Sequence, residues 1–117
     1  MKIVIATVPG RFSDDRYPCP FPSRWTSIAV GYPVYHFYPY ELAYLSALLK
    51  RELPDTDTKM IDGGWLRFTV DDYIRRLEME KPDWLVFEVD TVTYAQTLIV
   101  AKEIKKKFGT KIIMTGQ

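Results

Sequence analysis

The sequence is poor in the residues that hold metals and disulfides, with one cysteine, Cys19, and one histidine, His36, among 117 residues. A single cysteine excludes an internal disulfide. It also excludes a cysteine-ligated iron–sulfur cluster or a Cys₄ zinc site built from this sequence alone. His36 has no companion ligand, so we assign it neither to a metal nor to acid–base chemistry. Cys19 lies between two prolines and is interpreted as an unreactive thiol.

Long apolar runs and an excess of charge are also lacking. The first apolar run ends at Pro9, which is too short for the hydrophobic region of a signal peptide, and no run has transmembrane length. The net charge of +1 favours neither nucleic acid nor an anionic membrane as a partner. With 47% hydrophobic residues, the composition predicts one globular cytoplasmic domain over residues 1–117.

Apolar and polar periodicity predicts strands that alternate with helices. The predicted strands span residues 3–8, 58–62, 83–89 and 111–115. The first predicted helix, over 39–53, begins at Pro39 and places Leu42, Leu45 and Leu49 on one face, with Ala43 and Ala47 allowing close approach to a sheet.

Two further helices follow the second and third strands. Thr69 and Asp72 form a capping box that starts one helix, whose expected core residues are Val70, Tyr73, Ile74 and Leu77. The other spans about 93–108 and ends with three lysines and Gly109, which suit the negative end of a helix and its C′ position. Its expected buried residues are Leu98, Ala101, Ile104 and Phe108.

This alternation predicts an α/β fold with a flavodoxin-like, Rossmann-like three-layer parallel sheet in strand order 2-1-3-4. The fourth strand is apolar on both faces, as in an interior strand, although no later strand covers its outer edge. Either a fifth strand is missing or two chains pair through 111–115. Because the sequence ends just after Thr115-Gly116, we expect an incomplete domain, the front part of something larger or a module completed by a partner.

Residues 9–38 have no clear periodicity and are rich in proline and aromatic residues. Long loops in compact domains are usually functional or disordered, and the aromatic content argues against disorder. We expect this segment to pack over the carboxyl end of the sheet or to form a partner surface. The alternative is a hydrophobic lid with no ligand role.

The order of several motifs resembles the amino-terminal cobalamin-binding domain of B12-dependent radical SAM enzymes. The matching segments are 38–50 (YPYELAYLSALLK), 59–62 (KMID), 81–87 (KPDWLVF) and the Thr115-Gly116 turn. The sequence departs from the family where Glu41 replaces a glycine and Gln117 stands in place of a second one. It also has no Asp-x-His-x-x-Gly motif, so no histidine is expected below the cobalt.

The resemblance implies that cobalamin lies at the carboxyl ends of the strands. The cofactor-binding residues that it implies are Pro9, Asp62, Thr91, Thr93, Thr115 and Gly116. Structural explanations stay open for several of them, because Thr93 suits the N-cap of the third helix, and both Asp62-Gly63-Gly64 and Thr115-Gly116 suit simple turns. The iron–sulfur cluster and SAM belong to a later, C-terminal radical SAM domain, so this chain is not expected to be an enzyme on its own.

Two other functions remain open. A phosphoryl-accepting receiver domain holds Mg²⁺ with acidic residues after its first and third strands, for which Asp14, Asp15 and Asp90 are the candidates. Asp14 and Asp15 lie about six residues beyond the strand, too far for that geometry. A non-enzymatic module that binds no cofactor and associates through the aromatic loop and the open fourth strand is the main alternative.

Overall fold

The computed structural model describes residues 1–8, 39–63, 68–89 and 93–116. Four strands and three helices alternate along them. The strands are β1 (Lys2–Thr7), β2 (Asp57–Asp62), β3 (Trp84–Val89) and β4 (Lys111–Gly116), and the helices are α1 (Tyr40–Glu52), α2 (Val70–Glu80) and α3 (Tyr94–Phe108). Each predicted element is present, and the predicted bounds differ from the observed ones by at most one residue.

The four strands form one parallel sheet in the order β2-β1-β3-β4, which confirms the predicted fold class and topology. The polar strand β2 lies at one edge, as its sequence indicates. β1 and β3 are central because each is almost fully apolar and is covered on both faces. Right-handed crossovers then place α1 on one face of the sheet and α2 and α3 on the other.

Alternate residues of each strand divide the core into two clusters. On the α1 face, Ile3, Ile5 and Val86 pack with Leu42 of α1. On the α2/α3 face, the larger cluster includes Val4, Ala6, Leu85 and Phe87, together with Tyr73, Leu77, Val100 and Ile104 from the two helices. Burying a side chain of this size contributes about 1.5–3 kcal/mol. The larger cluster therefore supplies most of the hydrophobic stabilisation among the described residues.

Helix α1 packs on the sheet through the predicted leucine face, with one correction. Leu42 is buried, and Leu45 and Leu49 pack against the same cluster. Ala47 is exposed, so the small residue that lies against the sheet is Ser46, which is buried. Residues 42, 46 and 49 follow the i, i+4, i+7 spacing of a helix face, and this spacing favours Ser46 over Ala47.

Helix α2 begins at the predicted cap. The hydroxyl of Thr69 accepts a hydrogen bond from the backbone N–H of Asp72 at 3.1 Å and donates one to Asp72 Oδ2 at 2.8 Å. Tyr73 and Leu77 are fully buried, and Val70 and Ile74 pack beside them, as predicted.

The burial of α3 departs from the prediction at two residues. Ala101 and Ile104 are buried as expected, but Leu98 is only half-buried and Phe108 is 39% exposed. The helix ends at Gly109 with a φ of 67°, and three lysines fill its last turn, as predicted. Leu98 and Phe108 are less buried than predicted because the sheet lies under only one side of α3.

The outer strand β4 is much more exposed than the other strands. Ile113 is 43% exposed and Met114 38% exposed, although both lie in the apolar middle of the strand. No other strand in the described part of the chain pairs with the outer edge of β4. Of the helices in these residues, none has the length and apolarity needed to cross a membrane.

Candidate functional site at the carboxyl edge of the sheet

A row of polar side chains crosses all four strands near their carboxyl ends. The strand register places Thr7 between Asp62 of β2 and Glu88 of β3, and it places Thr115 of β4 next to Glu88. Strand side chains alternate between faces, so residues paired in this way project to the same face. These four residues, the polar row, therefore line the α1 face directly beyond Ile5, Met60, Val86 and Ile113.

Thr7 is the best defined member of the polar row. It is fully buried, and its hydroxyl donates a hydrogen bond to Asp62 Oδ1 at 2.9 Å. The same hydroxyl accepts a hydrogen bond from the backbone N–H of Gly63 at 3.2 Å, and this N–H also approaches the carbonyl of Thr7 at 3.1 Å. Thr7 therefore fixes both the carboxylate of Asp62 and the turn that follows β2.

Glu88 places a second carboxylate in the polar row. It is the only charged residue of β3 and is 6% exposed. A buried carboxylate is retained only where polar or charged groups meet it, because burying an isolated charge is costly. Glu88 and Asp62 lie on either side of Thr7, so this edge of the sheet is rich in hydrogen-bond acceptors.

Gly116 follows Thr115 and is the last residue of β4. Its φ is 133°, and a Cβ built there would lie 2.0 Å from the carbonyl oxygen of Val89. Only glycine fits, because an added side chain would collide with the β3 backbone. Thr115 and Gly116, both predicted site residues, therefore hold the end of β4 tightly against β3.

Thr93 lies at the start of α3, where the sequence suggested a helix cap. It occupies the N-cap position, as that explanation expects, and is fully buried, but its side chain makes no capping hydrogen bond. Its carbonyl instead accepts a hydrogen bond from the hydroxyl of Thr97 at 2.8 Å. One residue earlier, Gln96 is buried, and its Oε1 has no hydrogen-bond partner among the described residues.

Tyr73 brings a buried phenol to the first turn of α2. Its hydroxyl has no hydrogen-bond partner in the part of the chain that the structure describes. Burial, reinforced by the negative charge of Asp62, raises the pKa of Tyr73 well above its ordinary value. The phenol is therefore neutral at physiological pH, and it can donate a hydrogen bond.

The structure brings together some of the predicted site residues. Asp62 and Thr115 belong to the polar row, Gly116 ends it, and Thr93 lies at the start of α3. Pro9 and Thr91 fall outside the described residues. So does the rest of the 9–38 segment, which includes Asp14, Asp15, Cys19 and His36. Gly64, Asp90 and Gln117 also fall outside them. Within the described ranges, no group of three or more histidine, cysteine, aspartate or glutamate side chains is placed to hold a metal ion.

Thr7 and Glu88 were not among the predicted site residues. A signal for both was available, because each is a polar residue near the carboxyl end of an otherwise apolar strand. Aligning the carboxyl ends of the four predicted strands in the order 2-1-3-4 would have placed Asp62, Thr7, Glu88 and Thr115 side by side. That step needs the register, which strand periodicity alone leaves uncertain.

Comparisons of the chain with protein-family models, curated proteins and solved structures gave no match.

Proposed function

We propose that this chain is the cobalamin-binding domain of a B12-dependent radical SAM protein and that the cofactor binds at the polar row. The observation that carries the proposal is the alignment of Asp62, Thr7, Glu88 and Thr115 across four neighbouring strands. Ligands of open parallel sheets bind outside the carboxyl ends of the strands. The ordered sequence motifs described above supply the identity of the ligand.

The chemistry of the polar row fits the rim of a corrin. Two carboxylates, at Asp62 and Glu88, disfavour a phosphate at the same place because like charges repel. Neutral amides avoid that repulsion, and their N–H groups donate to carboxylates while their carbonyls accept from hydroxyls. A corrin carries such amides on its side chains. Asp62 and Glu88 would accept these hydrogen bonds, and Thr115 would donate or accept one.

Binding and orienting the cofactor is the whole role of this chain in the proposal. When bound, cobalamin supplies methyl transfer or radical chemistry, carried out with a C-terminal domain that holds an iron–sulfur cluster and SAM. Thr7 keeps the Asp62 carboxylate in place through its hydroxyl. Gly116 keeps the end of β4 free of a side chain beside Val89.

A titration with hydroxocobalamin tests the proposal. The chain, alone and within the full protein that its reading frame encodes, is titrated while the corrin absorbance bands are followed, and retention is measured by equilibrium dialysis. We expect the full protein to retain the cofactor and the chain alone to bind it more weakly. If neither retains it, the proposal is wrong.

Two variants locate the site. Glu88→Gln keeps the shape of the side chain and removes its charge, and we expect it to weaken binding about tenfold, equivalent to about 1.4 kcal/mol. Glu52→Gln is the matched control, since Glu52 is exposed at the end of α1, away from the polar row. Equal affinities of the two variants would place the cofactor elsewhere.

A further inference from the structure

Among the described residues no other strand pairs with the outer edge of β4, and this edge forms one largely apolar surface with the adjoining flank of α3. In β4, Ile113 projects to the α1 face, while Ile112 and Met114 project to the α2/α3 face. β4 pairs with β3 over all six residues without a bulge, and it contains no proline. Its only charge is Lys111, at the start of the strand, so the middle of β4 itself carries no charge, proline or bulge that would prevent edge-to-edge pairing.

Helix α3 extends the same surface with a repeating stripe. Lys107 forms an ion pair with Glu78 of α2, so this side of α3 faces α2. The side of α3 that lies roughly 100° or more around the helix axis from Lys107 faces the outer edge of β4. It carries residues at i, i+4, i+7, i+11 and i+14, which are Tyr94, Leu98, Ala101, Lys105 and Phe108. This is the a/d spacing of helices that pack together at a small crossing angle.

We propose that a second copy of this chain covers this surface, with β4 pairing antiparallel to β4 of the partner about a two-fold axis through Ile113. In this register Ile113 lies opposite its own counterpart and Ile112 lies opposite Met114 of the partner subunit. Lys111 lies opposite the partner's Thr115. Apolar residues therefore meet apolar residues, and no like charges are directly opposed. Lys111 is already held 4.7 Å from the ring centre of Trp84 in its own chain.

The geometry of the two helices agrees with this register. α3 packs against both β3 and β4. Neighbouring strands lie roughly 4.8 Å apart, so an α3 axis midway between β3 and β4 is displaced roughly 2.4 Å from β4 towards β3. The two α3 axes then lie roughly 10 Å apart across the two-fold axis, which is within the 8–10 Å range of packed helices.

The two-fold axis also suits the residues of the stripe. In the proposed dimer the two-fold axis is level with Ala101, the middle residue of α3, which is buried in its own chain, so the contacts between the two helices come from Tyr94, Leu98 and Phe108. Tyr94 of one copy approaches Phe108 of the other, and these two residues are 53% and 39% exposed in the single chain. Lys105 and its counterpart are separated by roughly 12 Å along the helix axis. That exceeds the screening length of about 8 Å at physiological salt.

Introducing a charge at Ile113, which lies opposite its own counterpart, tests the pairing. Sedimentation equilibrium across a concentration series should show a monomer–dimer equilibrium for the unmodified chain. Ile113→Lys places two like charges opposite each other and should weaken dimerisation about tenfold or more. Ile113→Glu should do the same, and an equimolar mixture of the two variants should dimerise again. Tyr44→Lys, at a 77% exposed residue of α1, is the matched control and should leave the dimer intact.

A cysteine cross-link tests the register. In a Cys19→Ser background, Ile113→Cys should form a disulfide-linked dimer under mild oxidation, because directly opposed Cα atoms lie about 4.5–5.5 Å apart. Ile112→Cys should not, since that residue lies opposite Met114 of the partner subunit. Circular dichroism checks that each variant remains folded. A chain that stays monomeric at every concentration overturns the proposal, and this is the result expected if another polypeptide covers β4. Open-ended aggregates overturn it as well. So does cross-linking by Ile112→Cys without cross-linking by Ile113→Cys.

Discussion

Lys2 Nζ lies 2.6 Å from Glu80 Oε2, which joins the first residue of β1 to the last residue of α2. The same oxygen accepts a hydrogen bond from Lys59 of β2 at 2.8 Å, and Glu80 Oε1 lies 3.0 Å from Arg76. The Glu80 side chain is 6% exposed. One buried carboxylate therefore ties α2 to both β1 and β2 at the amino end of the sheet, opposite the polar row.

Replacing Glu80 with glutamine should destabilise the fold. Glu80→Gln keeps the shape and removes the charge that Lys2 and Lys59 contact. Hydrogen bonds to charged groups contribute about 1.5–3 kcal/mol each, and part of this is regained because both lysines reach solvent. We expect a loss of about 2 kcal/mol in the free energy of unfolding, measured by urea denaturation. Glu52→Gln, which disrupts only the exposed pair with Arg51, should cost less than about 1 kcal/mol. Equal losses would show that the Glu80 cluster has no special role.

The contribution of Glu80 should disappear in acid. Hydrogen bonds from Lys2 and Lys59 lower the pKa of Glu80 from 4.5 to about 2. A pKa that is lower in the folded state stabilises the protein fully above the unfolded value, and the stabilisation is lost as pH falls through the folded value. The stability difference between the unmodified chain and Glu80→Gln should therefore be constant above about pH 5 and should shrink between pH 4.5 and 2. A difference that does not change over this range would contradict the depressed pKa.

Removing the hydroxyl of Tyr73 should cost little or should stabilise the protein. The hydroxyl is fully buried and has no hydrogen-bond partner among the described residues, so none of them offsets the cost of removing it from water. We expect Tyr73→Phe to leave the free energy of unfolding unchanged or to raise it by up to about 1 kcal/mol. Tyr44→Phe, at an exposed residue, should have no effect. A loss of more than about 1 kcal/mol for Tyr73→Phe would reveal a hydrogen bond to this phenol.

Alanine at Gly116 should break the end of β4 away from β3. The added Cβ would collide with the carbonyl of Val89, and the φ of 133° is unfavourable for any other residue. We expect faster hydrogen exchange at the backbone amides that join the ends of β3 and β4. Gly109→Ala is the control, because a Cβ there has nothing within 4 Å and only the left-handed backbone conformation is disfavoured. It should lower global stability by about 1–2 kcal/mol and leave the Val89–Gly116 pairing protected. Unchanged exchange in Gly116→Ala would show that the strand end adapts.

Much of the fold was predictable because its signals are local. Proline and glycine mark the ends of α1 and α3, the Thr69–Asp72 cap marks the start of α2, and apolar runs mark β1 and β3. The strand order followed from the apolar character of the first and third strands, which belong in the centre of the sheet, and from the polar second strand, which belongs at an edge. The candidate site was predicted only in part: Asp62, Thr115 and Gly116 were named, whereas placing Thr7 and Glu88 beside them needs the strand register.

The sequence by itself determined the alternation of strands and helices, the parallel sheet and the polar edge strand β2, because these depend on periodicity and local backbone preferences. Only the tertiary structure decided which residues meet across the sheet. It aligned Asp62, Thr7, Glu88 and Thr115 in one row, gathered Lys2, Lys59 and Arg76 around Glu80, and left Leu98 half-buried and Phe108 exposed on α3. Such contacts join residues distant in sequence, so strand register and helix placement determine them, and local patterns do not encode either directly.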